Sequence, residues 1–259
     1  MGPGPGRSAL SDRERFFEAI AAHAGSAYLR YSFTKGTEQE LAFLWDVLGL
    51  EAGMRVLDVG CGPGRHVGGL ASLGIDVVGV DISVDFLRLV RGGAPVRADA
   101  RSLPVASGSF DAVVSLCQGG FGLLGGDEDG MVLTELARAV RPGGRVAVSA
   151  FSSYFIVRYL EDGDTFDPAT GVNHERTSVR NEAGEEREFD LWTTCFTPRE
   201  LRLLAERAGL DVEALWSVAP GEYASRPPDL DHPEWLLVAT PAPGSTIAAE
   251  RRGRSPFPR

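Results

Sequence analysis

Short apolar runs alternate with amphipathic stretches along most of this chain. Short, mainly apolar runs near 55–60, 76–81, 110–116 and 145–151, with a more mixed one near 95–99, read as strands of a sheet. Segments at 65–73, 83–91, 128–140 and 198–208 space their apolar residues at helical intervals. Thr197-Pro198-Arg199-Glu200 opens the last of these with an N-cap, Pro at the first helical position and Glu at the third. Two further runs, 211–219 and 234–240, bring the strand count to seven. Strand–helix alternation of this kind predicts an α/β fold, a mostly parallel sheet with helices on both faces.

Two stretches depart from the alternation. Residues 11–50 read as helical cover ahead of the first strand. Residues 152–196 contain turn signals at Phe166–Gly171 and Asn181–Gly184 between extended runs, which predicts a small antiparallel β insertion. Residues 1–10 and 242–259 lack periodicity and are rich in Gly, Pro, Ser or Arg, so they are expected to be disordered, the latter as a basic tail. One domain over 11–241, carrying the insertion as a lid, is the organisation these features predict.

The first strand runs into Asp58-Val59-Gly60-Cys61-Gly62-Pro63-Gly64-Arg65, and the second ends at Asp81. Alternate glycines at a strand-to-helix turn let a ligand lie against the backbone, and the free N–H groups of the helix start face it. A carboxylate about 20 residues further on is placed to accept ribose hydroxyls. These features point to a nucleoside cofactor. A dinucleotide loop would carry glycine where Arg65 stands, and Asp58 would repel a diphosphate, so a cationic cofactor suits the loop better.

The segment resembles motif I of the class I S-adenosylmethionine-dependent methyltransferases, and the likeness extends in order along the chain. Val80-Asp81-Ile82-Ser83 resembles the family's ribose and adenine element. Ala98-Asp99-Ala100 with Leu103-Pro104 resembles its adenine-edge motif. Ser109–Ser115 and Val140–Gly144 resemble the fourth strand and the turn before the fifth. The resemblance implies a Rossmann-like sheet whose last strand is antiparallel. It implies S-adenosyl-L-methionine bound by Asp58, Gly60, Cys61, Gly62, Gly64, Asp81, Ile82, Asp99, Ala100, Cys117 and Gln118. It also implies an N-terminal segment closing over the methionine part, with Tyr31 and Arg30 as its contacts. Cys61 and Cys117 read as small fillers beside the cofactor rather than nucleophiles. No residue identifies itself as a general base. His174 in the insertion and Tyr223 in the Pro220–Tyr223 turn are candidates to reach an acceptor, whereas His66 is expected to face cofactor or solvent.

Composition narrows the partners. A formal charge of −10 argues against a nucleic-acid surface. Four scattered histidines and three cysteines without paired spacing predict no metal and a reducing, cytoplasmic setting. No apolar run has the length of a membrane span. The expected activity is methyl transfer to a small-molecule acceptor, with a homodimer compatible. Alternatives still open are methylation of RNA or protein, a non-catalytic cofactor-binding regulator and an NAD-dependent oxidoreductase.

Overall fold

The computed structural model describes residues 16–123 and 126–244. The sequence-based expectations for residues 1–10, for 11–15 and for the tail beyond 244 lie outside the described residues.

Parallel strands β1 (Arg55–Val59), β2 (Asp76–Asp81), β3 (Ala94–Arg97), β4 (Phe110–Ser115) and β5 (Val140–Ser152) form the frame, ordered β3-β2-β1-β4-β5. Two later strands, β9 (Leu210–Val218) and β10 (Glu234–Pro241), extend it, with β10 antiparallel to both β5 and β9. These are the seven expected strands. Three more belong to the insertion: β6 (Thr165–Asp167), β7 (Val172–Arg180) and β8 (Glu186–Phe196) pair antiparallel. β5 forks at its end. Phe151 and Ser152 pair in parallel with Cys195 and Phe196 of β8, while Phe151 also pairs with Glu234 of β10, so ten strands are hydrogen-bonded together.

Both faces of β1, β2, β4 and the second half of β5 are buried, which explains their apolar runs. β3 at the edge is mostly exposed, so the 95–99 run is not a strand buried on both faces. On one face Leu57, Val113 and Val146 pack with Val132, Leu133 and Leu136 of α5 (Gly126–Ala139) and with Leu201 and Ala205 of α7 (Pro198–Arg207). On the other, Val56, Val77 and Val114 pack with Leu41, Leu44 and Leu48 of α2 (Thr37–Leu48) and with Val67 and Leu70 of α3 (Arg65–Ser72). Thr197 and Glu200 form the expected capping box on α7. The helix expected over 83–91 is shorter. Only α4 (Val84–Leu87) forms, capped by the Ser83 hydroxyl, before the chain turns at Leu89 and Val90.

The N-terminal cover is α1 (Phe16–Ala24), two 3-10 turns at Gly25–Arg30 and Ser32–Thr34, and α2. Phe16, Ile20 and Ala24 of α1 pack on Val179 and Phe189, so the cover docks on the inserted sheet. A further helix, α6 (Ser153–Arg158), leads from β5 into the insertion. Among the described residues no helix is long and apolar enough to cross a membrane.

Candidate active site

At the carboxyl ends of β1, β2 and β4 three loops converge, as expected for an open α/β sheet. The loop after β1 is left-handed at Gly60 (φ 73°), Gly62 (54°) and Gly64 (84°). Gly60 is required for a second reason: a Cβ there would stand 0.6 Å from the Gly119 carbonyl oxygen of the loop after β4. Space around Gly62 is open, and its N–H donates to Asp81 Oδ2 at 2.8 Å. Asp81 Oδ1 accepts from Ser83 N at 2.8 Å, so this one carboxylate ties the glycine loop to the end of β2. Burial raises the Asp81 pKa, although the N–H groups of Ser83 and Gly62 oppose the shift.

These loops enclose a first cavity. Its lining includes Gly60, Cys61, Gly62, Asp81, Ile82 and Asp99. Ala100, Cys117 and Gln118 also line it, as do Tyr28 and Arg65. Asp99 sits with both oxygens on Arg101, Oδ2 at 2.8 Å from Nη2. Gly64 caps α3 behind the cavity wall, against Val90. Asp58 lies beneath the loop, 2 % exposed, with Oδ2 lacking any hydrogen-bond partner. Burial pushes its carboxyl up to about 6, opposed by His66 and Arg65. Asp58 lies outside both cavity linings, and its orphaned oxygen under the glycine turn is the feature that suits the amino end of an amino-acid-like ligand.

The loop after β4 is strained. Cys117 (φ 51°) and Gln118 (φ 57°) are the non-glycine residues with positive φ among the described residues, and such consecutive left-handed residues are costly. Three contacts hold them, the first from Cys117 N to Ser149 Oγ at 2.7 Å. Arg65 Nη2 donates to Cys117 Sγ at 2.8 Å, and Gln118 Nε2 donates to Thr193 Oγ1 of β8 at 2.7 Å. Gln118 thus links the cofactor loop to the insertion.

Sequence reasoning missed the group behind Arg65. Glu40 of α2 is fully buried, and its Oε2 accepts from Arg65 Nη1 and from His66 Nε2, the latter at 2.8 Å. Its Oε1 accepts from Gly221 N at 2.8 Å. Burial alone would raise the Glu40 pKa, but the His66 hydrogen bond and the charges of His66 and Arg65 hold it at about 2. His66 does line the first cavity, yet at 5 % exposure it is bound to Glu40 rather than open to solvent. The signal that could have found this cluster was weak: one Glu in an amphipathic helix, with partners 25, 26 and 181 residues away.

A second cavity, of about 390 Å³, adjoins the first. Phe17, Tyr28, Phe33, Cys117 and Gln118 line both. Its roof comes from α1 and the insertion, including Ile20, Thr177 and Leu191, and its base from Phe151, Pro233 and Glu234. Tyr31 lines this cavity, not the first, and its hydroxyl accepts from Arg180 N at 2.8 Å. Arg30 is exposed, outside both linings, near Glu182. His174 stacks on Trp192 and hydrogen-bonds Asp190 at 2.9 Å, also outside both linings. Tyr223 is 2 % exposed, packs edge-on against Phe43, and is bracketed by Gln39 through its backbone N–H and carbonyl. Neither His174 nor Tyr223 is brought to a cavity wall. Among the described residues no cluster of side chains has the makings of a metal site.

Residues 57–148, the glycine loop through β5, match a family model described as a methyltransferase domain. A demethylmenaquinone methyltransferase of Renibacterium salmoninarum is 38% identical over 111 residues, 41% of this chain and 45% of that protein. The methyltransferase GfsG of Streptomyces halstedii is 35% identical over 193 residues, 68% of this chain and 59% of that one. The chain spans about half the length of the first relatives it matches. In fold it is similar to the CcbJ methyltransferase of Streptomyces caelestis, with a TM-score of 0.68 at 24% identity, covering 80% of this chain and 89% of that one. Sheet order, glycine cradle and sequence match agree: residues 57–148 carry a methyltransferase domain, and the fold is that of the class I, Rossmann-like S-adenosylmethionine-dependent methyltransferases.

Proposed function

We propose that the protein transfers a methyl group from S-adenosylmethionine to a small-molecule acceptor, releasing S-adenosylhomocysteine. The observation that carries this reading is the wall shared by the two cavities at Tyr28, Cys117 and Gln118. It lets a donor in the first meet an acceptor in the second without crossing solvent. When bound, S-adenosylmethionine supplies a methyl group already activated by its sulfonium. The protein's part is then to bind, align and exclude water.

In this reading Gly60, Gly62 and Gly64 give the ligand its close backbone approach. Asp81 accepts from the ribose and Asp99 with Ala100 frames the adenine edge. Asp58 and Gln118 serve the amino-acid end. Arg65, held by Glu40, fixes the loop after β4 beneath the reacting groups. Residues 152–196 roof the acceptor together with α1. Three free cysteines suit a reducing compartment such as the cytoplasm.

The test is incubation with methyl-labelled S-adenosylmethionine and fractionated cell extract. Label in the small-molecule fraction is the expected result. Label in RNA or protein would move the acceptor class, and cofactor binding without label in any fraction would make the protein a binder rather than an enzyme.

A further inference from the structure

Glu234 stands at the start of β10, between Phe151 and Val218 in register, and is 2 % exposed. It belongs to the wall of the second cavity. The Ser149 hydroxyl hydrogen-bonds its carboxylate, yet Oε2 has no partner at all. An ionised carboxylate has room for about four hydrogen bonds, and a buried one left short of them calls for a completing group.

The rest of the cavity indicates what that group is. A second carboxylate, Glu175, enters from β7 on the inserted sheet, while Glu234 enters from the main sheet. Among the described residues that line it, none is Lys, Arg or His. Arg65, whose charge acts on Glu234, is already engaged by Glu40, Thr37 and Cys117. Aromatic rings of Phe17, Tyr28, Tyr31 and Phe33 supply much of the remaining surface, and such faces attract cations. Two acids, several rings and no base form a chamber for a cation with an apolar body.

We propose that the acceptor is an amine carried on an apolar body, and that Glu234 binds its ammonium group and takes its proton. This rests on the methyl-transfer reading above. A proton passes from the ammonium nitrogen to Glu234 Oε2, which leaves the amine its lone pair. That pair forms the new N–C bond to the methyl carbon as the S–C bond breaks, its electrons going to sulfur. The product leaves as a methylated ammonium, and Glu234 returns its proton to solvent.

Electrostatics agree with the assignment. Burial pushes the Glu234 carboxyl up to about 7, and the Ser149 hydrogen bond opposes the shift; Glu40 of α2 adds to it and Arg65 of α3 reduces it. The neighbouring Cys117 and Tyr223 are both raised, burial being the largest cause in each and Glu234 adding to it. Glu175 is likewise raised, by burial and then by Asp164 and Glu161. A group poised near neutrality can exchange a proton with an amine at working pH.

Calorimetry with 4-phenylbutylamine and 4-phenylbutan-1-ol tests this, since the two share an apolar body and differ in charge. Titrations are run with and without S-adenosylhomocysteine, at pH 6 and pH 8. The wild-type protein is expected to prefer the amine by about tenfold at pH 8, and by less at pH 6. Glu234→Gln should lose the preference and its pH dependence, Glu234→Asp should retain part of both, and S-adenosylhomocysteine affinity should be the same in all three. Equal binding of amine and alcohol overturns the proposal. So does a preference that survives in Glu234→Gln, or a protein that binds S-adenosylhomocysteine but not the amine. Failure to bind S-adenosylhomocysteine, by contrast, strikes the methyl-transfer reading, and the amine preference is still read without it.

Discussion

Gly60 and Gly119 meet backbone to backbone, the turn after β1 pressed against the turn after β4 so closely that neither has room for a side chain. Gly60→Ala would drive a methyl group into the Gly119 carbonyl and impose a positive φ on alanine. The expected result is loss of S-adenosylhomocysteine binding together with destabilisation of about 2–4 kcal/mol. Titration calorimetry and a denaturant melt check the two effects separately.

Asp81 accepts from Gly62 N and Ser83 N, and in the proposed reading it also accepts from the ribose. Asp81→Ala is expected to weaken S-adenosylhomocysteine at least about tenfold and to cost about 1–2 kcal/mol of stability, because Gly62 N and Ser83 N lose their acceptor. Asp81→Asn keeps an oxygen for one of these donors and should recover part of the stability but less of the affinity. Unchanged affinity in both variants would remove Asp81 from the cofactor site.

Glu40 makes the molecule sensitive to acid. Its folded pKa lies below the ordinary carboxylate value, so its stabilisation is present above about pH 4.5 and lost as pH falls toward 2. Glu40→Gln should therefore lower stability by about 2–4 kcal/mol at pH 7 and by much less near pH 3. Unfolding free energies of both proteins across that range test the sign. A constant difference would mean that packing, not charge, is what Glu40 contributes.

Much of the frame was legible because strand burial on both faces writes itself as mainly apolar runs. The expected 76–81 strand coincides with β2, and Thr197-Pro198-Arg199-Glu200 capped α7 as its side chains required. Local signals mislead where tertiary contacts override them, as after Leu87, where the apolar periodicity continues but the helix does not. The cofactor loops were readable because glycine at positive φ and a strand-end carboxylate are local requirements. Glu40 and Glu234 were not. Each is an acid with no local motif around it, in an otherwise ordinary helix or strand, and its meaning comes from partners brought by the fold.

Gln118 and Thr193 provide the check on how the insertion is coupled to the cofactor loops. Removing the 2.7 Å bond with Thr193→Val leaves Gln118 in a strained conformation with one contact fewer. The expected outcome is a fall in turnover with S-adenosylhomocysteine affinity within about threefold of wild type, since an exchangeable hydrogen bond contributes about 1 kcal/mol. Equal losses in both would place the bridge in cofactor binding instead.

The hydrogen bond from Gly221 to Glu40 spans 181 residues of chain. Contacts that close so long a loop bear a large entropic cost and are rewarded only once the intervening strands are paired. Arg65 and His66 meet the same carboxylate, so the buried charge beneath the glycine turn is completed only when the carboxyl-terminal strands arrive. During synthesis the parallel strands of the first half of the chain can pair while this corner stays open, because the residue that closes it, Gly221, lies far along the chain.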